Sequence, residues 1–219
     1  LLHTHACDDL AALAAALCAF DVLREVNVRG GGCEHVGLLF TRAEEVGFIG
    51  AIAACKHKSV PRKARLVCLE NSRSFPHDSP IGAGPIVRVG DRMSVFEPTL
   101  TNQISLLMAE HQKHNPQFKY QRKLMPGGTC EATTFSTYGY RSTCLCLPLG
   151  NYHNMIDIDG VTGGTTRLAR VGPEFISVED FHGLIEMLVV CALRMDSEDA
   201  PSLKGRMEGL FKEFGFVLD

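Results

Sequence analysis

Short apolar runs alternate along this chain with stretches of helical spacing, and that alternation limits the fold more than any other feature. Residues 36–40 (VGLLF), 65–70 (RLVCLE), 85–89 and 143–147 read as short strands. Runs of this kind, with no polar alternation, belong to strands buried on both faces of a parallel sheet. Between them lie helices, expected over about 8–26, 47–57, 99–114, 131–137, 177–195 and 202–214. In the first of these Leu10, Leu13, Leu17 and Phe20 recur at helical spacing, with Asp8 or Asp9 placed to cap the start. Ser177 and Asp180 form a capping-box pattern for the helix near the end. Strands alternating with helices predict an α/β fold, a mainly parallel sheet sandwiched by helices. No linker or repeat divides the 219 residues, so residues 1–219 read as a single domain.

Composition narrows the classes of function. A chain of this length buries roughly 70–75% of its unfolded surface. It needs neither disulfides nor metal merely to fold. Twenty-two basic against 25 acidic residues give a net charge of -3. That balance argues against a nucleic-acid partner, which would want clustered cations. No apolar run reaches the ~20 residues of a membrane span, so no membrane partner is expected. Cys18, Cys55, Cys68, Cys144, Cys146 and Cys191 sit in apolar stretches, the total of nine is odd, and no CxxC pair occurs. Reduced, buried thiols in a cytoplasmic protein are the expectation.

Four acidic or imidazole features fall where strands end or helices begin: Asp8-Asp9, Glu44-Glu45, Glu70 and His153. Open α/β sheets bind ligands in the crevice beyond the carboxyl ends of their strands. Each feature alone has a plain alternative: a helix cap, a solvated loop, a solvated strand end, a loop histidine. Together, three carboxylate positions and an imidazole at one sheet edge would repel one another unless positive charge lay between them. Divalent cations supply it, and the mixed oxygen and nitrogen donors suit zinc, with cobalt or manganese also possible. Doubling the glutamate lets one carboxylate hold metal while its neighbour handles protons. Glu131 has two readings, helix-start chemistry first and a place facing substrate through the helix N-terminus second.

The order HACDDLA at 5–11, FTRAEEVG at 40–47, Leu69-Glu70, GGTCEA at 127–132 and PLGNYH at 148–153 resembles the co-catalytic di-zinc exopeptidases. Within that superfamily it is most similar to the tetrahedral and glutamyl aminopeptidases. The resemblance implies a zinc-dependent exopeptidase-like fold and a metallopeptidase catalytic domain that hydrolyses peptides from their amino ends. It further implies that Asp8 bridges two metals, Glu45 and His153 complete one shell, Glu70 serves the other, and Glu44 is the general base. Members of the tetrahedral branch assemble into shells, so a homo-oligomer is expected. Two departures stand out. Glu70 occupies a position where that branch typically has Asp. The family also carries a metal-binding His well upstream of the bridging Asp, whereas only seven residues precede Asp8 and include just His3 and His5. The expectation is therefore the carboxyl-terminal portion of a longer chain, lacking the first strands and completed by a missing amino-terminal segment. Two other readings use the same residues: a deacylase or carboxypeptidase-like amidohydrolase acting on N-acyl amino acids, which Glu70 favours, and a non-catalytic fragment that keeps the fold.

Overall fold

The computed structural model describes residues 1–218. Its centre is a four-stranded sheet built from β2 (Arg65–Arg73), β3 (Ile86–Gly90), β4 (Gln121–Leu124) and β5 (Arg141–Leu149), in the order β2-β5-β3-β4. β2 runs parallel to β5 and β3 parallel to β4, while β3 and β5 are antiparallel. The sheet is thus mainly parallel, as expected, with one antiparallel junction at its middle.

β5 is buried along almost its whole length, which explains its unbroken apolar sequence. Leu145, Leu147 and Leu149 point to a layer formed by α1 (Cys7–Val28), α3 (Pro98–His114) and α6 (Val178–Arg194). Cys144 and Cys146 point to the opposite layer, under α2 (Ile49–Lys56) and α4 (Glu131–Thr137). Alternation along the strand therefore fills two unequal faces, large side chains on one and small thiols on the other. Two minor sheets flank this core: β1 (Leu2–Thr4) with β8 (Glu174–Ile176), and β6 (Met155–Ile156) with β7 (Arg170–Val171). A one-turn helix, α5 (Ile158–Thr162), lies between the latter two, and α7 (Leu203–Phe214) follows α6.

Several local expectations are corrected. Residues 36–40 form no strand; Leu38, Leu39 and Phe40 are exposed, because no described strand offers them a ladder. α1 buries an alanine face (Ala11, Ala12, Ala15, Ala16 and Ala19), while Leu10 and Leu17 stay exposed. Small side chains let α1 approach α6 closely, which a leucine stripe would prevent. Cys18 lies exposed on that helix, whereas Cys55, Cys68, Cys144, Cys146 and Cys191 are buried, and all nine thiols are free. Neither Asp8 nor Asp9 caps α1. At α6, Ser177 does accept from the amides of Glu179 and Asp180. Asp180 does not complete a capping box; its carboxylate turns to the backbone amides of Gly82 and Gly84.

Candidate metal and active site

The candidate carboxylates converge from three chain segments: the start of α1, the loop before α2 and β2. β2 ends by delivering Glu70, 9% exposed, and Asn71, 2% exposed, at its carboxyl end. The Asn71 side chain donates to the Cys7 carbonyl at 2.9 Å and to the Asp9 carboxylate at 2.8 Å. This ties the start of α1 to the strand and turns Asp8 and Asp9 inward instead of along the helix axis. Asp8 has φ -85° and ψ 108°, so regular helix begins only after the pair. Its backbone amide donates to the buried Glu174 of β8 at 3.1 Å.

Glu44 and Glu45 are carried by a loop that closes tightly on α2. The Gly50 amide donates to the Arg42 carbonyl at 2.9 Å, and the Phe48 amide to that of Glu44 at 2.9 Å. Gly47, at φ +106°, makes a turn that other residues would resist. Glu131, at the start of α4, faces this loop and accepts from the Thr41 hydroxyl at 2.6 Å. It therefore joins the acidic group, which the expected capping role did not foresee.

Burial and mutual repulsion shift the titration of these carboxyls. Burial, followed by Glu45, Glu174 and Glu44, pushes Asp8 up to about 7. Burial, Glu45 and Glu131 likewise push Glu44 up to about 7, against a hydrogen bond with Glu70 that works the other way. Asp9 and Glu70 are raised well above the carboxylate range, in both cases mainly by burial. One buried cation faces the group. Arg88 of β3 is 2% exposed, and its Nε finds no partner among the described residues. Burial opposes its charge, but Cys146, Cys144, Cys130 and Glu70 together outweigh burial and hold it protonated. Tyr152 also lies against the cluster; burial, then Asp8 and Glu70, raise its hydroxyl to about 12.

Asp8, Glu44, Glu45 and Glu70 are thus brought together. His153 is not drawn in with them: it stays exposed at φ +58°, its ring stacked on Tyr152 at 3.9 Å between centroids. His5 is held at the same loop, Nδ1 lying 3.3 Å from Asn154 Oδ1, and His3 packs against Phe175. Among the described residues no three His, Cys, Asp or Glu side chains are arranged to hold one metal ion. In donor chemistry the cluster nonetheless suits a divalent cation. It is oxygen-rich and opposed by a single arginine, and Asn71 Oδ1 is a buried acceptor with no protein partner.

Glu174, Asn71, Arg88 and Tyr152 were not foreseen. Only Arg88 left a trace in sequence, a lone cation inside the apolar strand PIVRVG.

The family model of M42 glutamyl aminopeptidase matches residues 2–165, most of the chain and every carboxylate of the cluster except Glu174. The chain belongs to this family. No curated protein matches it. Among solved structures it is similar to a TET aminopeptidase from a marine-sediment Thaumarchaeota archaeon, with TM-score 0.63 and 20% identity over 88% of this chain and 49% of that one. An aminopeptidase from Desulfurococcus kamchatkensis gives 0.60 and 18%, over 84% and 46%. The Pyrococcus horikoshii TET1 peptidase, which can assemble into a tetrahedron or a large octahedral shell, gives 0.53 and 17%, over 70% and 39%. At these identities the likeness establishes the fold. The M42 chain described here spans about half the length of these neighbours or less.

Proposed function

We propose that residues 1–219 form the catalytic domain of a metal-dependent aminopeptidase acting on peptide amino termini. One observation carries this reading: four carboxylates from three chain segments, Asp8, Glu44, Glu45 and Glu70, share one edge of the fold beside a single buried arginine. Asp8, Glu45 and Glu70 would hold divalent cations, zinc first among them, and His153 would turn inward to complete the set. Bound there, such ions supply Lewis acidity toward a carbonyl oxygen and toward water. Glu44 takes the general-base role. A carboxyl among these groups but outside the proposed ligand set can accept a proton from water and return it to a leaving amine. Arg88 keeps the remaining negative charge in balance behind Glu70. Assembly with further copies, and a cytoplasmic location suited to nine free thiols, belong to the same proposal. No helix among the described residues is long and apolar enough to cross a membrane.

The test is hydrolysis of aminoacyl amides by the 219-residue chain with added zinc or cobalt. Glu44→Gln should slow turnover by about 10²–10⁴-fold while leaving bound metal unchanged. Equal rates for the two proteins would remove Glu44 from its role. A fold-keeping, metal-poor protein is the competing reading, and the exposure of His153 favours it. Fewer than one equivalent of zinc retained after dialysis would select that reading.

A further inference from the structure

Glu131 stands among the carboxyls of this edge without a part in the proposed chemistry. Asp8, Glu45 and Glu70 are the carboxylates of the proposed ligand set, and Glu44 is the base. Glu174 accepts from the Asp8 amide, and Asp9 from the Asn71 side chain. Glu131 enters from a further element, α4, whose start is fixed by Asp91. That carboxylate accepts from the Cys130 amide at 3.0 Å and from the Thr133 hydroxyl at 2.6 Å. The Glu131 side chain is half-buried, and its Oε1 accepts from the Thr41 hydroxyl. No ion pair among the described residues involves it. Arg88, the buried cation nearby, has its Nη1 4.0 Å from the Cys146 thiol instead. The charge of Glu131 is felt by both Glu44 and Asp9.

A carboxylate anchored through one oxygen, without a cation and beside the base, suits an ammonium group. The α-amino group of a peptide titrates at about 7.7–8.0, so near neutral pH most of it carries charge. A half-buried carboxylate is screened less than a solvated one and holds such a charge more strongly. An N-acylated chain offers no charge there. Glu131 would therefore separate free amino ends from blocked ones.

We propose that Glu131 holds the terminal ammonium of the substrate and so restricts the site to unblocked amino ends. This rests on the aminopeptidase reading of the same site, which supplies the amine-bearing substrate. The test is steady-state hydrolysis of leucinamide across pH by the 219-residue chain with added zinc or cobalt. Wild-type KM should rise above about pH 8, where the ammonium is lost. Glu131→Gln keeps an oxygen for Thr41 and removes only the charge. It should raise KM about 10–100-fold at pH 7, leave kcat in place and flatten the dependence of KM on pH. n-Butylamine, which is not turned over, should lose its competitive inhibition to the same extent. Thr41→Val removes the anchor but not the charge and should keep the pH dependence, which a merely structural Glu131 would not require. Circular dichroism matching the wild type would show that each variant folds. An unchanged KM in Glu131→Gln would overturn the proposal while the aminopeptidase reading stood. So would a wild-type KM that falls as pH rises through the amine value, because the neutral amine would then be the bound form. A zinc-loaded wild type that leaves leucinamide intact would instead remove the aminopeptidase reading and this role with it.

Discussion

Asp180 shows how a single carboxyl can be well satisfied and still titrate unfavourably. It accepts from the amides of Gly82 at 2.7 Å and Gly84 at 2.8 Å, which pins the loop before β3 to the start of α6. Those bonds and Lys119 favour its charge, but burial, with some help from Glu179, outweighs them and raises it. A carboxyl raised on folding binds its proton more tightly in the native state than in the unfolded one. Stability from this group is accordingly greatest below the unfolded value of about 3.9 and falls as pH rises through the window above it. Asp180→Asn removes that slope but leaves one amide short of an acceptor, a loss of about 1–3 kcal/mol. Urea midpoints at low pH should therefore favour the wild type, and the gap should narrow toward neutrality. A gap that widens with pH would reverse the assignment.

At the scale of elements, the loop bearing Glu44 and Glu45 depends on Gly50. A Cβ there would sit 2.4 Å from the Arg42 carbonyl oxygen and 2.5 Å from its amide nitrogen, both backbone atoms that cannot yield cheaply. Gly50→Ala should displace the loop at a cost of about 1–3 kcal/mol. Loss of hydrolysis should exceed what the drop in melting temperature explains, because the carboxylates move while the sheet stays. Elements defined by their own burial were legible in advance. β3 and β5 lie inside the sheet, and β2, at its edge, is covered by α1 on one face and α4 on the other, so each carries an apolar run. Residues 36–40 carry the same signature, but a strand also needs a neighbour, and that pairing is not written in the segment itself. β1, β6, β7 and β8 have two or three residues each, too few for any period to show.

Across the whole molecule, the acidic cluster gathers groups up to 166 residues apart, the span from Asp8 to Glu174. Sequence marked Asp8, Glu44, Glu45 and Glu70 because each stands at an element boundary. It could not mark Glu174, Asn71 or Tyr152, whose roles arise only when β8 and the loop after β5 fold over α1. So concentrated a charge has an energetic signature that the fold alone would not produce. At pH 8 the metal-free protein holds these carboxyls above their raised values of about 7, and their repulsion works against folding. Asp8→Asn deletes one charge from the centre of that group, so in chelator the variant should melt higher than the wild type. Zinc should invert the order. An ion binding the native state at a hundred times its Kd stabilises it by about 2.7 kcal/mol, several degrees for a chain of this size. The wild type should gain that shift, and the variant, lacking one of the carboxylates proposed to hold the ion, should gain much less. Equal zinc shifts in the two proteins would place the ion elsewhere, and a variant less stable in chelator would mean that Asp8 is not held under repulsion.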